Sequence, residues 1–312
     1  MSDIIVLGSI NMDLVVSADR APEGGETLSG TGFQTIPGGK GANQAVAIAR
    51  QGGDVGMIAR VGDDAFGGEL IGKLVENRVD ISQVKQLDSI STGVALIVVE
   101  NSGQNRIIIV AGANGQLKPE DVVQAGGLFD HCDFLVAQLE VPEATVTQAL
   151  ATARAKGIKT VLNAAPAPKI PLDGDVLRQV DYLVVNETEA QAMSGKPVHN
   201  RESAFAATRE LQQRGGGTVI LTMGEQGAVT SDLDEIWHTP AFKVEVKDTT
   251  AAGDAFIGGL VAKLQKGSPL KDAVVHACAA GALATTKFGA QPSLPTYEET
   301  RIFLAARAPD LE

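Results

Sequence analysis

The chain has 312 residues, 44% of them apolar and 21% charged, with a formal net charge of −12. That is long enough for one large α/β domain or two modest ones, and the acidic balance argues against a nucleic-acid or anionic-membrane surface, which needs a basic field. Cys132 and Cys278 lie too far apart to suggest a disulfide framework. No apolar run approaches membrane-spanning length, so a cytoplasmic protein is the simplest reading.

Residues 4–7 are a short continuous apolar run and predict a buried strand. It ends at Gly8-Ser9 and runs on to Asn11-Met12-Asp13. Polar residues just past the carboxyl end of a buried strand are where open α/β sheets place ligands. Asn11 and Asp13 are therefore candidate hydroxyl binders, and a plain turn accounts for them equally well on local grounds. Residues 14–36 have no helical period and read as short antiparallel strands. A similar patch recurs over 93–100 and 106–110, with Asn101-Ser102-Gly103 as a turn. Together they predict one small sheet outside the main one, a lid, from segments at about 14–36 and 92–111 of a single 1–312 domain.

Pro37-Gly38-Gly39-Lys40-Gly41-Ala42-Asn43-Gln44 then precedes a helical run over 45–50. Lys40 is not in a Walker A motif, and no Gly-x-Gly-x-x-Gly follows the first strand, which weakens a dinucleotide-binding reading. The small residues suit a close approach of backbone to a compact polar ligand, with Asn43 aimed at it from the helix start. A glycine-rich connector is the alternative.

From residue 54 strands and helices alternate: strand 55–59, helix 66–75, strand 134–137, helix 146–155, strands 160–162 and 182–185, helix 204–211, strand 219–222. This predicts a doubly wound, mainly parallel sheet with helices on both faces. Polar or glycine-rich stretches follow the strand ends: Asn11/Asp13, Glu140, Asn186/Glu189, Thr222-Met223-Gly224-Glu225-Gln226-Gly227, and the run from Asp248 to Asp254. In such a fold those ends share one edge of the sheet, so the groups can converge. Asn186 and Glu189 are oxygen donors suited to Mg²⁺, directly or through water. A helix cap and a first-turn carboxylate describe the same residues.

A strand-like run over 242–246 leads into Asp248-Thr249-Thr250-Ala251-Ala252-Gly253-Asp254-Ala255-Phe256, and an apolar, helix-spaced run leaves it. That predicts a tight turn opening a helix. The first turn of a helix carries unpaired N–H groups and the positive end of the dipole, and small side chains let an anion approach them. An acidic residue there suits a proton acceptor. Asp254 is thus a candidate general base beside an anion hole made by the N–H groups of Ala252 and Gly253; an ordinary capped helix accounts for the same stretch. The tail is helical over 273–285, where His276 and Cys278 read as core filler, since no His/Cys ligand spacing appears. In the loop 288–293, backbone carbonyls together with Asp248 are suited to a monovalent cation.

These residues resemble a known family. Gly38-Gly39-Lys40-Gly41-Ala42-Asn43-Gln44-Ala45 is similar to the first signature of the PfkB carbohydrate kinases, and the stretch 248–256 to the second. The resemblance covers essentially the whole chain. Gly8-Ser9-Ile10-Asn11-Met12-Asp13, Asn186-Glu187-Thr188-Glu189 and Gly289-Ala290-Gln291-Pro292-Ser293 look most like the members that phosphorylate ribose. The resemblance implies transfer from ATP to the 5-hydroxyl of D-ribose, with Asp254 as base and the N–H groups of Ala251, Ala252 and Gly253 stabilising the transferring phosphoryl group. Asn11, Met12, Asp13, Gly39, Lys40, Gly41, Ala42, Asn43 and Glu140 would line the sugar site. Asn186, the 222–227 stretch, Gly253 and Asp254 would line the nucleotide site, with Cys278 near adenine. Glu189 would order Mg²⁺ through water, and Asp248, Thr250, Ala284, Lys287, Gly289 and Ser293 would hold an activating K⁺. A lid over the sugar and a homodimer through the lids are implied as well. The chain departs from the pattern at Ala252, where the signature often has Gly, and at Cys278, where Asn is expected near adenine. A kinase of 2-deoxyribose or another small sugar or nucleoside, and a sugar-binding regulator without turnover, are the competing readings.

Overall fold

The computed structural model describes residues 2–102 and 104–307. In chain order the first half contains β1 (Ile4–Leu7), β2 (Asn11–Ala18), β3 (Gly32–Gly38), α1 (Lys40–Arg50), β4 (Val55–Gly62), α2 (Ala65–Glu76), β5 (Asp80–Leu87), β6 (Gly93–Glu100), β7 (Asn105–Val110), α3 (Pro119–Gln124), β8 (Phe134–Gln138) and α4 (Glu143–Ala155). The second half contains β9 (Lys159–Asn163), α5 (Gly174–Leu177), β10 (Tyr182–Asn186), α6 (Glu187–Ser194), α7 (Arg201–Gln213), β11 (Thr218–Thr222), β12 (Ala228–Asp232), β13 (Glu235–Thr239), α8 (Ala252–Gln265), α9 (Leu270–Ala284) and α10 (Tyr297–Ala305).

Nine strands form one sheet in the order β13-β12-β11-β10-β9-β8-β1-β4-β5. Only β12 and β13 run antiparallel to their neighbours. Continuous apolar strands need cover on both faces, and β1 shows how it is supplied. Ile5 and Leu7 face a cluster with apolar residues of α4, α6 and α7, while Ile4 and Val6 face α1, α2, α8 and α9. The result is the expected doubly wound, three-layer sandwich. The chain leaves β1 for β4 and β5 on one side and later returns through β8 on the other. The crevice at such a reversal is where open α/β sheets bind ligands.

The second sheet, in the order β3-β2-β6-β7, is the small one anticipated beside the main sheet. It is not wholly antiparallel, because β2 pairs parallel with β6. Its β2 begins at Asn11, so Asn11 and Asp13 sit on a strand of this sheet and not in a free turn. Gly103, expected in a turn with Asn101 and Ser102, lies outside the described residues. Phe33, Ile107 and Ile108 leave more than half their surface exposed.

Two of the elements read from the sequence differ from expectation. The helix after the glycine run begins at Lys40, so Lys40, Gly41, Ala42 and Asn43 form its first turn. Residues 242–246 make no strand. The sheet ends at β13, and this extended run lies beside no strand to complete a ladder; Phe242 instead packs edge-on against Phe303 at 5.4 Å. No described helix is long and apolar enough to cross a membrane.

Candidate active site

Asp254 occupies the first turn of α8 and is 6% exposed. Asn43 Nδ2 donates to its Oδ2 and Gln44 Nε2 to its Oδ1, both at 3.0 Å. Two local features bring α1 this close. Gly39 takes φ 86°, and a Cβ there would lie 2.7 Å from the Asn11 backbone nitrogen. Gly258, one turn below Asp254, has no side chain to hold off Ala47, one turn below Asn43. The sequence suggested that the small residues of the first signature make room for a ligand. At Gly39 the space is filled by the chain itself.

The N-cap of α8 is Ala251, which adopts the left-handed φ of 59°. Its carbonyl accepts from Ala255 N–H at 2.9 Å, and Ala252 N–H closes the turn on Thr249 O at 3.2 Å. Ala252 is therefore already committed, whereas the N–H groups of Ala251 and Gly253 donate to no group among the described residues. A cleft of about 200 Å³ opens here, lined among others by Lys40, Asn186, Glu189, Thr222, Gly253 and Asp254. A larger cavity of about 530 Å³ lies at the opposite, amino ends of β9, β10 and β11. It is a poor reaction site, since its Arg154 and Lys159 are both spent on Asp181.

Charge at and beside the cleft is unbalanced: Asp254, Glu140 and Glu189 act on Lys40, and Asp13 faces Glu140 and Asp254. Burial raises Asp254 above the usual aspartate range, although Lys40, Gln44 and Asn43 pull it back down. Burial, then Glu140 and Asp254, lift Asp13 to about 7. Burial alone would lower Lys40, but Asp254, Glu140 and Glu189 outweigh it and the ammonium is held more firmly. Glu140 Oε2 accepts from Ser9 Oγ at 2.5 Å and from Lys40 N–H at 3.0 Å, which ties β1, β8 and α1 together at the crevice. Asn11 Oδ1 accepts from Asn114 Nδ2 at 2.7 Å. Asn43 Oδ1 is buried with no hydrogen-bond partner among the described residues.

The other candidates fall into groups. Met12, Ala42 and Met223 are buried in the apolar clusters, so only their backbone could meet a ligand. Glu225 and Gln226 are exposed in a short turn after β11, and His238 Nε2 lies 2.6 Å from Gln226 O. Cys278 is packed inside the α8–α9 layer, where burial pushes its thiol up to about 12, and it does not line the cleft. Glu189 forms a capping box: its carboxylate accepts from Asn186 N–H at 2.8 Å and from Asn186 Nδ2 at 3.0 Å. Asp248 accepts from Thr250 N–H, Thr250 Oγ and Gly289 N–H, which joins the two loops proposed for a cation. Lys287 turns its side chain to Glu299 at 2.8 Å, and its N–H donates to Ala284 O at 3.2 Å. Ser293 Oγ donates to Ala290 O at 2.8 Å.

A family model described as pfkB family carbohydrate kinase matches residues 1–297. The chain belongs to the PfkB family of carbohydrate kinases. A ribokinase of Schizosaccharomyces pombe is 41% identical over 311 residues, covering 96% of both chains. A deoxyribokinase of Salmonella typhi is 38% identical over 303 residues, covering 97% of this chain and 99% of its own. The structure of an Arabidopsis thaliana ribokinase complexed with ribose and ATP superposes with a TM-score of 0.90 at 28% identity, covering 97% of this chain and 98% of that one. As a PfkB kinase the chain is a sugar phosphotransferase. Reading the sequence alone left four residues of this site without a role: Gln44, Asn114, Gln138 and Asn163. Asn163 ends β9 as Asn186 ends β10, a signal that was there to use. Asn114 sits in a short 3₁₀ helix (Gly112–Gln116), with no local pattern to mark it.

Proposed function

We propose that this PfkB kinase transfers the γ-phosphoryl group of ATP to the 5-hydroxyl of D-ribose. The observation that carries the reading is Asp254, a buried carboxylate held by two amides at a helix start, beside the partnerless acceptor Asn43 Oδ1. A buried acceptor lacking a donor is costly, and a sugar hydroxyl supplies one. Asn11, Asp13, Lys40, Asn43 and Glu140 would bind the sugar hydroxyls and orient the acceptor. Asp254 would then take the proton of the attacking hydroxyl. The N–H groups of Ala251 and Gly253, at the positive end of α8, would face the charge on the transferring group. Phosphoryl transfer depends mainly on such positioning and charge stabilisation.

The nucleotide would lie along Asn186, Thr222 and Gly224 to Gly227. Glu189 would help hold Mg²⁺ at this end of the cleft, where the ion would supply positive charge against the phosphates. Glu189 fits a role through water better than direct ligation, because both its oxygens already serve the Asn186 cap. K⁺ would be held by carbonyls of the 248–250 and 284–293 segments, which Asp248 fastens together. The small sheet would close over the sugar as a lid and exclude water. The exposed apolar residues of that sheet support a homodimer through the lids, and the net charge of −12 fits neither a nucleic acid nor an anionic membrane as partner.

A second reading, 2-deoxyribose as acceptor, is favoured by the similarity to the S. typhi deoxyribokinase. The test is ADP release from MgATP with ribose, 2-deoxyribose, fructose and adenosine offered separately. Ribose is expected to give the highest kcat/KM. Preference for 2-deoxyribose would move the substrate, and release with none of them would refute the proposal.

A further inference from the structure

Gln44 is fully buried and uses every polar atom of its side chain. Its Nε2 donates to Asp254 Oδ1 and to Asn163 Oδ1, each at 3.0 Å. Its Oε1 accepts from Gln138 Nε2 at 2.7 Å. Asn163 Nδ2 in turn donates to Val184 O at 3.2 Å. The chain of amides thus starts on β8, crosses α1, and ends on both α8 and β10. Its direction is fixed. Reversing the Gln44 amide would set its carbonyl against two acceptors, Asp254 Oδ1 and Asn163 Oδ1, and its donors against Gln138 Nε2. The neighbouring Asn43 lacks this constraint, since its Oδ1 has no partner among the described residues.

We propose that Gln44 is a positioning residue for the transfer: anchored by Gln138 and Asn163, it clamps Asp254 Oδ1 and sets the direction in which the carboxylate meets the acceptor hydroxyl. The proposal rests on the reading of Asp254 as the base. A general base must hold its proton-accepting lone pair on the hydroxyl, and small misplacements are costly. A carboxylate on a helix start swings about its own side-chain torsions unless something outside the helix stops it. Here the two stops come from α1, and only Gln44 is itself locked to the sheet. The charged groups facing Asp254 are Lys40 from α1, Glu140 from the turn after β8, Glu189 from α6 and Asp13 from β2. Replacing Gln44 leaves all of them in place, so a change in titration reports the lost amide.

The experiment measures kcat and KM against pH for Gln44→Met, Gln138→Met and Asp254→Asn, with melting temperatures alongside. Gln44→Met is expected to lower plateau kcat by roughly 10- to 10²-fold, with KM for the sugar within about threefold. Loss of a donor to the charged form should move the acid limb of kcat/KM up by about one pH unit. Gln138→Met should act in the same direction and less, because both Gln44 donors keep their acceptors. A folded Gln44→Met with the wild-type limb and kcat, or with loss confined to KM or melting temperature, overturns the clamp while leaving the base assignment intact. Should Gln44→Met not fold, an unmoved limb and kcat in Gln138→Met overturn it instead. Near wild-type turnover in Asp254→Asn would remove the base, and the clamp with it.

Discussion

Substitution of Gly258 by alanine should slow the reaction from a distance. A Cβ at this position would lie 2.4 Å from Ala47 Cβ and 2.7 Å from the Ala47 carbonyl carbon. Carbon atoms pack at about 3.5–4.0 Å, so α1 and α8 must part by about 1 Å. Gly258 lies one turn below Asp254, and Ala47 one turn below Asn43. The same displacement therefore opens the 3.0 Å contacts of Asn43 and Gln44 with Asp254 to about 4 Å, beyond hydrogen bonding. A hydrogen bond to a charged group contributes about 1.5–3 kcal/mol, so kcat should fall roughly 10- to 10²-fold. Overpacking should also cost about 1–3 kcal/mol of stability. Gly72→Ala is the control: nothing lies within 4 Å of its added Cβ, and removing a helical glycine should stabilise the protein by about 0.5–1 kcal/mol. Steady-state kinetics and thermal melts decide it. A Gly258→Ala enzyme with unchanged kcat and melting temperature would show that helix spacing does not set the carboxylate contacts.

Asp13 gives a pH signature. Its carboxyl is lifted to about 7 in the native state, whereas in the unfolded chain it loses its proton near about 4. Between those values the native protein binds more protons than the unfolded one, so this group makes stability fall as pH rises. Asp13→Asn should therefore melt higher than the parent at pH 8, with the gap closing toward pH 4; a pH-independent gap would contradict the burial argument. For the cation loops, exchange of Li⁺ for K⁺ at constant ionic strength should raise sugar-dependent turnover, and an indifferent rate would remove K⁺ from the account.

The fold was legible because buried parallel strands are short apolar runs, and β1, β8, β10 and β11 all read that way. The meeting of Asn186, Glu189 and Thr222 with Asp254 in one cleft followed from the rule that strand ends share one edge. The contact of Asn43 with Asp254, 211 residues apart, did not, because Asn43 follows a strand of the small sheet. What stayed hidden had a physical reason. The edge strand β5 alternates irregularly and mixes charge with apolar residues, and 242–246 alternates like a strand yet lies beyond the last strand of the sheet. The amide chain through Gln138, Gln44 and Asn163 has no local signature, because a buried glutamine is recognised only by what surrounds it. Asn114 likewise matters through its contact with Asn11 across the fold.

The most direct test of the central claim is turnover by Asp254→Asn, with ribose binding measured calorimetrically on the same preparation. Asparagine retains the shape and can still accept from Gln44 Nε2 through its one oxygen, while its NH2 faces Asn43, whose Oδ1 is without another partner among the described residues and can turn to accept from it; it accepts no proton. Ribose affinity should stay within a few-fold of the parent, while MgATP-dependent phosphorylation falls by roughly 10²-fold or more, the scale of general-base catalysis. Near wild-type turnover in that variant would contradict the account.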